Sequence, residues 1–462
     1  MSELDLNGLA GSLAGEVITP SDGTYDEARQ LWNGVTDRRP AVIARCASAD
    51  DVMAAIGFAR VAGLTVAVRG GGHNVAGMAS VDEGLVIDLS PMRAVEVDAE
   101  AGTVRAQGGA TLGDIDAATI VHGLAVPVGV VSETGIAGLT LSGGMGWLRR
   151  KYGLSCDNLI SAEVVTAAGE VMTASDDEHP DLLWALRGGG GNFGVVTSFE
   201  FRAHPVSPEV AFAFALYPAE EAQAVLRSSE AAIASAPEEI APLAFFGRVP
   251  AAEPFPEEAH GKPFVAVAAV HSGAPDVGER ELRPFRELGT PLADLSDRIP
   301  YAAAQSLLDE EYPIGRRYYW KSIELDALKD DAIAELGRQA ETAPSDLSTI
   351  DVWFQGGEMS RLPADATAYG DRNAPILIGV EANWEGEGTD AANIAWARGC
   401  IEAMRPFSSG GTYLNFPGFL EEGQQQLRDA FGANYERLAR VKAEYDPDNV
   451  FRVNQNIAPA PL

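Results

Sequence analysis

Three clusters of glycine constrain this chain more than any other feature. They are Val68-Arg69-Gly70-Gly71-Gly72-His73-Asn74, Gly135-Ile136-Ala137-Gly138-Leu139-Thr140-Leu141-Ser142-Gly143-Gly144-Met145-Gly146 and Arg187-Gly188-Gly189-Gly190-Gly191-Asn192-Phe193-Gly194. Residues without a Cβ let the backbone turn sharply, so that successive N–H groups converge on an anion such as a pyrophosphate. A histidine in such a loop can reach whatever those amides hold. The middle cluster adds the hydroxyls of Thr140 and Ser142. The last contains a formal G-x-G-x-x-G from Gly189 to Gly194. The β-branched run Val195-Val196-Thr197 follows it, where a Rossmann turn requires a helix. The glycines therefore predict an anion-binding groove of another kind.

Hydrophobic patterning places these clusters on a scaffold. A helix is predicted from Asp50 to Gly63, with Gly63 as its C-cap, and a buried strand from Leu64 to Val68 runs into the first glycine loop. Further strands are predicted at Leu85–Leu89 and Val195–Phe201, and helices at Thr111–Gly123 and Asp181–Leu186. Hairpins are predicted over Met92–Gln107 and about Ala168-Gly169-Glu170. Composition shifts at His204-Pro205-Val206-Ser207-Pro208. Beyond it, helices (219–234, 278–287, 327–341 and 389–404) alternate with strands (210–216, 263–270, 349–354, 376–382 and 412–416). That pattern predicts a sheet with helices on one face. A last helix starts at Tyr435 and ends at Asp446-Pro447, before an Asn/Gln-rich tail.

Composition excludes several classes of function. Of 462 residues, 67 are Asp or Glu and 34 are Lys or Arg, a formal net charge of −33. Such a surface repels nucleic acid and anionic membranes, so neither is an expected partner. Lys occurs only at positions 151, 262, 321, 329 and 442. An acidic, Lys-poor surface stays hydrated in concentrated salt, as a halophile requires; a GC-rich genome favouring Arg codons gives the same composition. Cys46, Cys156 and Cys400 are scattered and lack CxxC spacing. Neither a disulfide framework nor a zinc site is expected, and a reducing, cytoplasmic compartment fits. No H-E-x-x-H or G-x-S-x-G occurs, so neither metal-dependent nor nucleophile-elbow hydrolysis is expected. The stretch from Met1 to Ile18 has no basic segment and no long apolar run, so no secretory signal or membrane span is expected.

The segments Val68–Asn74, Gly138–Trp147, Arg150–Asn158, Leu186–Gly194 and Tyr445–Asn456, in that order, resemble the berberine-bridge-enzyme-like FAD-linked oxidases of the vanillyl-alcohol oxidase superfamily. The resemblance spans nearly the whole chain. It implies an α+β fold in two parts. Residues 1–205, with a C-terminal return over 431–462, would form a PCMH-type FAD-binding domain. Residues 206–430 would form a substrate-binding domain with an antiparallel sheet covered by helices. It implies an FAD-dependent oxidase or dehydrogenase that takes hydride from a CH–OH or CH–NH group of a small organic substrate to flavin N5, with O2 as acceptor. The alternatives are an NADPH-dependent flavin reductase sharing this FAD domain, and a carrier that sequesters a drug or metabolite without turnover.

Carried over residue by residue, the resemblance puts the flavin-bonded histidine at His73. Some members add a bond from a cysteine; here Val131, in Gly129-Val130-Val131-Ser132, stands at that position. A single covalent link to FAD is therefore expected, with Cys156 a buried structural thiol. The oxygen-gatekeeper position falls on Thr134, where relatives carry Val or Leu. The remaining FAD contacts are expected from Arg69, Gly70, Gly71, Gly72, Asn74, Gly135, Gly138, Thr140, Ser142, Gly143, Gly146, Trp147, Gly194, Val195, Val196, Asn454 and Asn456. Thr412-Tyr413-Leu414-Asn415-Phe416 is similar to a Tyr-x-Asn-Tyr strand over the flavin, which makes Tyr413 the expected general base. A phenol with a pKa of about 10 needs a nearby cation or hydrogen bonds to its phenolate for that role. Tyr319 and Lys321, in Arg317–Ser322, are expected to position the substrate or tune Tyr413. Gln355 and Glu381 are further candidates on neighbouring strands.

Overall fold

The computed structural model describes residues 4–408 and 410–461; the outer bounds of the expected division, residues 1 and 462, lie outside the described residues. A four-stranded sheet runs in the order Glu16–Ile18, Val42–Arg45, Leu85–Asp88, Val66–Arg69. The first pair is antiparallel and the other two are parallel. Parallel strands need a crossover, and the helix Ala49–Ala62 supplies one. The Ser48 hydroxyl caps its start, and Gly63, at φ 67°, closes its end as expected. A second sheet is antiparallel, in the order Val95–Asp98, Thr103–Gln107, Val195–Arg202, Leu159–Val165, Val171–Ala174. Both expected hairpins form within it.

The third sheet is antiparallel and larger. Its order is Ala293–Asp294, Glu209–Pro218, Pro263–His271, Ile240–Arg248, Thr349–Phe354, Ile376–Trp384, Arg317–Leu325, with Asp297–Pro300 also pairing on Glu209–Pro218. Side chains alternate between the faces of each strand. One set, including Ala213, Val267, Phe246, Val352, Ile378 and Tyr319, packs against Val225, Phe285, Ile333, Leu336 and Trp396 of the covering helices. The other set, including Phe212, Leu243, Trp353 and Leu377, packs against Met145 and Trp147 of the second glycine segment. This is the α+β class expected, with helices on one face. No helix among the described residues is long and apolar enough to cross a membrane.

Three local expectations are corrected. The 278–287 helix is two pieces, Pro275–Glu281 and Arg283–Arg286, because Pro284 has no N–H with which to continue the ladder. Ile240–Arg248 is a strand that patterning did not flag, since it contains Pro242. That proline sits just beyond the stretch paired with Thr349–Phe354, so its missing N–H is not needed there. Residues 412–416 do not form a strand. Gly410 and Gly411, at φ 111° and 93°, precede a turn closed by Phe416 N–H on the Tyr413 carbonyl. Contact with the strand Arg317–Leu325 is limited to an isolated bridge of Pro417 with Lys321 and single backbone bonds at Gly411 and Gly418, not a ladder.

The C-terminal segment returns to the glycine clusters. Lys442, on the helix Tyr435–Tyr445, is fully buried with Asp446. Its ammonium donates to Asp446 Oδ2 at 2.5 Å and to the carbonyls of Asn192 at 2.7 Å and Phe451 at 2.9 Å. Asp446 in turn accepts from the N–H groups of Val450 and Phe451. The Asn192 side chain donates to the Gln455 carbonyl and accepts from Ile457 N–H. Every hydrogen of the buried ammonium is thus matched, which a buried charge requires. Lys442→Met leaves Asp446 buried and unpaired. The expected outcome is a loss of ~3–5 kcal/mol in denaturant melts, with hydrogen exchange rising first over residues 446–457.

Candidate active site

The strand Val66–Arg69 delivers the first glycine loop to the middle of the molecule. Arg69 was expected to touch the cofactor. Instead its guanidinium donates to Asp88 Oδ2 at 2.7 Å and to the Ala28 carbonyl at 2.6 Å, bracing the strand end from behind. The loop meets the second cluster backbone to backbone. A Cβ on Gly71 would stand 2.5 Å from Gly135 N, and one on Gly135 would stand 2.3 Å from Gly71 N. No side chain fits at either position. Gly138, three residues on in the helix Ile136–Leu141, faces open space.

A long cavity follows this seam. Its floor is Gly70, Gly71, Gly72, His73 and Asn74, then Thr134, Gly135, Gly138 and Ser142, then Gly194, Val195, Val196 and Asn454. Thr140, Gly143, Gly146, Trp147 and Asn456, expected at the cofactor, do not line it. Gly143 lies against the Tyr369 and Tyr413 rings, Gly146 against the Val128 carbonyl, and the Trp147 indole donates to the Ala304 carbonyl at 3.0 Å. Val131 lines the cavity and Cys156 does not; burial drives the Cys156 thiol well above its ordinary pKa.

His73 stands at one end of the floor. Its Nε2 is shielded from solvent and has no hydrogen-bond partner. Burial pulls its pKa down to about 3, so the imidazole is neutral. Trp32 stacks on it with ring centroids 3.9 Å apart.

The opposite wall comes from the large sheet. Trp320 and Glu381 are directly paired across adjacent strands. Glu381 faces Thr349 on the other side, and Asp351 faces Gly379. The two carboxyls are therefore diagonal neighbours on one face, within reach of each other. The Tyr312 hydroxyl donates to Glu381 Oε2 at 2.6 Å. Burial raises both carboxyls, Asp351 to about 7 and Glu381 well above the usual range, and the field of Asp351 adds to the rise of Glu381. Trp353, Tyr413, Asn415 and Phe416 complete the wall, and among the described residues no Lys or Arg lines it. Burial pushes the Tyr413 phenol up to about 12, against hydrogen bonds its oxygen accepts from Asn415 Nδ2 at 2.8 Å and Gly144 N–H at 3.2 Å.

Tyr319 and Lys321 are corrected. They lie on the strand that carries Trp320, but strand alternation turns them to the helix-covered face. The Tyr319 hydroxyl bonds Glu421, and the Lys321 ammonium reaches Glu422 at 2.9 Å. Gln355 is buried outside the cavity, whereas Glu381 is in it. Sequence reasoning missed Trp32, Tyr312, Trp320, Asp351 and Trp353. The legible signal was Asp351, a carboxylate in the middle of the apolar run Thr349-Ile350-Asp351-Val352-Trp353-Phe354, where burial without a role is costly.

A seam of convergent amides that ends at a neutral imidazole, faced by an aromatic wall, suits a flat organic cofactor with a pyrophosphate. Comparison with known proteins makes this specific. Residues 40–175 match an FAD binding domain, and residues 412–458 match the berberine and berberine-like family. (R)-6-Hydroxynicotine oxidase of Paenarthrobacter nicotinovorans is 32% identical over 463 residues, covering 97% of this chain and 97% of that one. An FAD-linked oxidoreductase of Bacillus subtilis is 31% identical with the same coverage of 97% of each. The crystal structure of 6-hydroxy-D-nicotine oxidase from Arthrobacter nicotinovorans matches with a TM-score of 0.85 at 31% identity, over 97% of this chain and 99% of that one. Xylooligosaccharide oxidase from Myceliophthora thermophila, at 23% identity, shares the fold with a TM-score of 0.86 over 99% of each chain. The chain belongs to the berberine-bridge-enzyme-like FAD-linked oxidoreductases. FAD is its cofactor, and oxidation–reduction is its reaction class.

The seam makes a direct test. Gly135→Ala forces the two loops apart at backbone level, so purified protein is expected to hold less than a tenth of the wild-type flavin by visible absorbance. Gly57→Ala, on the exposed face of the helix Ala49–Ala62 with nothing near its Cβ and away from the cavity, is expected to hold the wild-type amount.

Proposed function

We propose that this protein is an oxidase carrying FAD on a single covalent link to His73, and that it oxidises a C–N or C–OH group of a small organic substrate with O2 as electron acceptor. The observation that supports the link is the partnerless, buried Nε2 of a neutral imidazole at the end of the glycine seam. Glucooligosaccharide oxidase from Acremonium strictum, 22% identical, carries a 6-S-cysteinyl, 8α-N1-histidyl FAD. Here Val131 lines the cavity and Cys156 lies outside it, which supports one link only.

When bound, FAD supplies hydride acceptance. The chain's own residues supply the rest. Trp320, Trp353 and Phe416 enclose an apolar substrate and exclude water. The substrate proton passes to Asp351, beside Glu381; burial raises the Asp351 carboxyl to about 7, near neutrality, where a base works best. The Tyr413 phenol, held by Asn415 and Gly144, keeps its own proton at neutral pH and orients the substrate. It is therefore not assigned as the base. Two carboxyls and no Lys or Arg on the wall favour an amine over an alcohol, and the likeness to a hydroxynicotine oxidase agrees with that preference.

Two measurements test this reading. On a denaturing gel, flavin fluorescence is expected to migrate with the wild-type chain, to vanish in His73→Ala and to persist in Cys156→Ala. Loss in Cys156→Ala would name the wrong anchor. The second is a pH profile with a substrate amine. An acid with a raised pKa is protonated below it, so kcat/KM is expected to rise with pH through about 7. Asp351→Asn should abolish that limb and lower the plateau roughly 10²–10⁴-fold. Tyr413→Phe should keep the limb and lower kcat/KM about tenfold, the worth of one hydrogen bond.

A further inference from the structure

We infer that Trp32 is a positioning residue for attachment of the flavin: its indole fixes the plane of the His73 ring, and it does so from the substrate wall. The inference rests on the His73 link proposed above. Trp32 belongs to Leu31-Trp32-Asn33-Gly34, a segment in neither helix nor strand. One face of its indole stacks on His73, with centroids 3.9 Å apart and planes inclined by 19°. The other face stacks on Tyr318, at 3.7 Å and 7°. The indole N–H donates to the Tyr312 carbonyl at 2.7 Å. Its backbone N–H donates to the Gly72 carbonyl at 3.3 Å, and its own carbonyl accepts from Gly315 at 2.8 Å. Asn33 repeats the bridge: its Nδ2 donates to the carbonyls of Val75 at 2.6 Å and Tyr318 at 2.8 Å, and its Oδ1 accepts from Tyr318 N–H at 3.0 Å.

The imidazole needs such a brace. Attachment breaks a C–H bond of the flavin methyl group and a ring N–H bond of His73, and forms a C–N bond. The two protons and two electrons released would be taken up by the flavin and passed to O2, giving hydrogen peroxide. Formation of the bond requires the lone pair of a neutral ring to point along one line, and orientation of this kind governs such rates. His73 Nε2 has no hydrogen-bond partner among the described residues, so that nitrogen is left free to react; the ring is tied to its own backbone, and its Nε2 edge is held by packing. The flat indole sets the plane without occupying the reactive edge, and it keeps water from the ring. Because the opposite face of Trp32 rests on Tyr318, the ring is held only when the strand Arg317–Leu325 is packed in place. Tyr312, fixed through its carbonyl by the same indole, carries the hydroxyl bonded to Glu381. One side chain therefore sets the geometry of the flavin anchor and of the proton acceptor's partner.

The test uses the full-length flavoprotein. Wild type, Trp32→Met and Trp32→Phe are purified, and flavin is divided into acid-precipitable (covalent) and extractable (free) fractions at equal total flavin. Trp32→Met is expected to lower the covalent-to-free ratio at least tenfold while FAD stays bound. Trp32→Phe, which keeps a stacking ring, is expected to restore most of the ratio while attaching at least threefold more slowly in a time course after FAD is supplied. A merely structural role would lower total flavin or Tm and leave the ratio unchanged. A wild-type ratio in folded Trp32→Met overturns the inference. If that variant does not accumulate, a wild-type attachment rate in Trp32→Phe overturns it, and slower attachment supports it. An absence of covalent flavin in wild type would instead overturn the His73 link.

Discussion

The contact on which the rest of the site depends is the one between two glycines. Gly71 and Gly135 come from loops far apart in sequence, and each occupies the space that a Cβ on the other would need. Their closeness lets amides from both loops face one groove. It also sets where every neighbouring element must sit. The strand end behind the first loop is pinned by the buried Arg69–Asp88 pair. The third cluster is pinned by Lys442 and Asn192, which tie the returning tail across it. Three stretches of glycine spread over more than a hundred residues thus become one surface because the buried charges Arg69, Asp88, Lys442 and Asp446 behind them are paired, while the front is built largely of glycine.

Opposite that surface, a single geometric rule decides the chemistry. Side chains alternate along a strand, so of the four residues Tyr318-Tyr319-Trp320-Lys321, two face the cavity side and two face the helices. The polar Lys321 and Tyr319 go to the helix side, where Glu421 and Glu422 receive them. The aromatic Tyr318 and Trp320 go to the cavity side, beside Glu381. A shift of register by one residue would reverse all four and put an ammonium against the carboxyls. The apolar partners of Tyr319 on the helix face, among them Ile323, Val380 and Trp396, exclude that register.

Most of the scaffold was legible in the sequence, for identifiable reasons. The helix Ala49–Ala62 announced itself by an apolar face and the terminal Gly63. The two hairpins did so by alternation around Gly102 and Gly169. The glycine clusters and His73 were readable because glycine at a crowded turn has few substitutes. What escaped was facing and distance. Tyr319 and Trp320 have equal claims in sequence, and only the pairing of their strand with Ile376–Trp384 separates them. Residues 412–416 alternate like a strand, yet Gly410 and Gly411 on one side and Pro417 on the other leave no partner for a ladder. Trp32 could not be found at all from its neighbours in sequence, since its meaning lies in contacts with His73 and Tyr318, 41 and 286 residues away.

The placement of charge completes the logic of the cavity. Arg149 lies directly behind Trp353, its guanidinium 5.2 Å from the indole centroid and bonded to the carbonyls of Gly146, Pro242 and Phe354. Burial lowers its pKa to about 9, so at neutral pH it is a buried cation against the Trp353 ring. Were it to face the cavity, it would hold Asp351 and Glu381 ionised well below neutrality, as a neighbouring cation does. Such a pair would bind an ammonium ion firmly and be a weak proton acceptor. Stacked on the indole and engaged with carbonyls outside the cavity lining, Arg149 anchors the wall and is not among the groups that set the proton affinity of the pair. His73 contributes no charge because burial keeps it neutral. Asp351, raised by burial to about 7, is then the group on the wall placed to take up a proton near neutrality, with the likewise raised Glu381 beside it, so a proton leaving a substrate has a place to go.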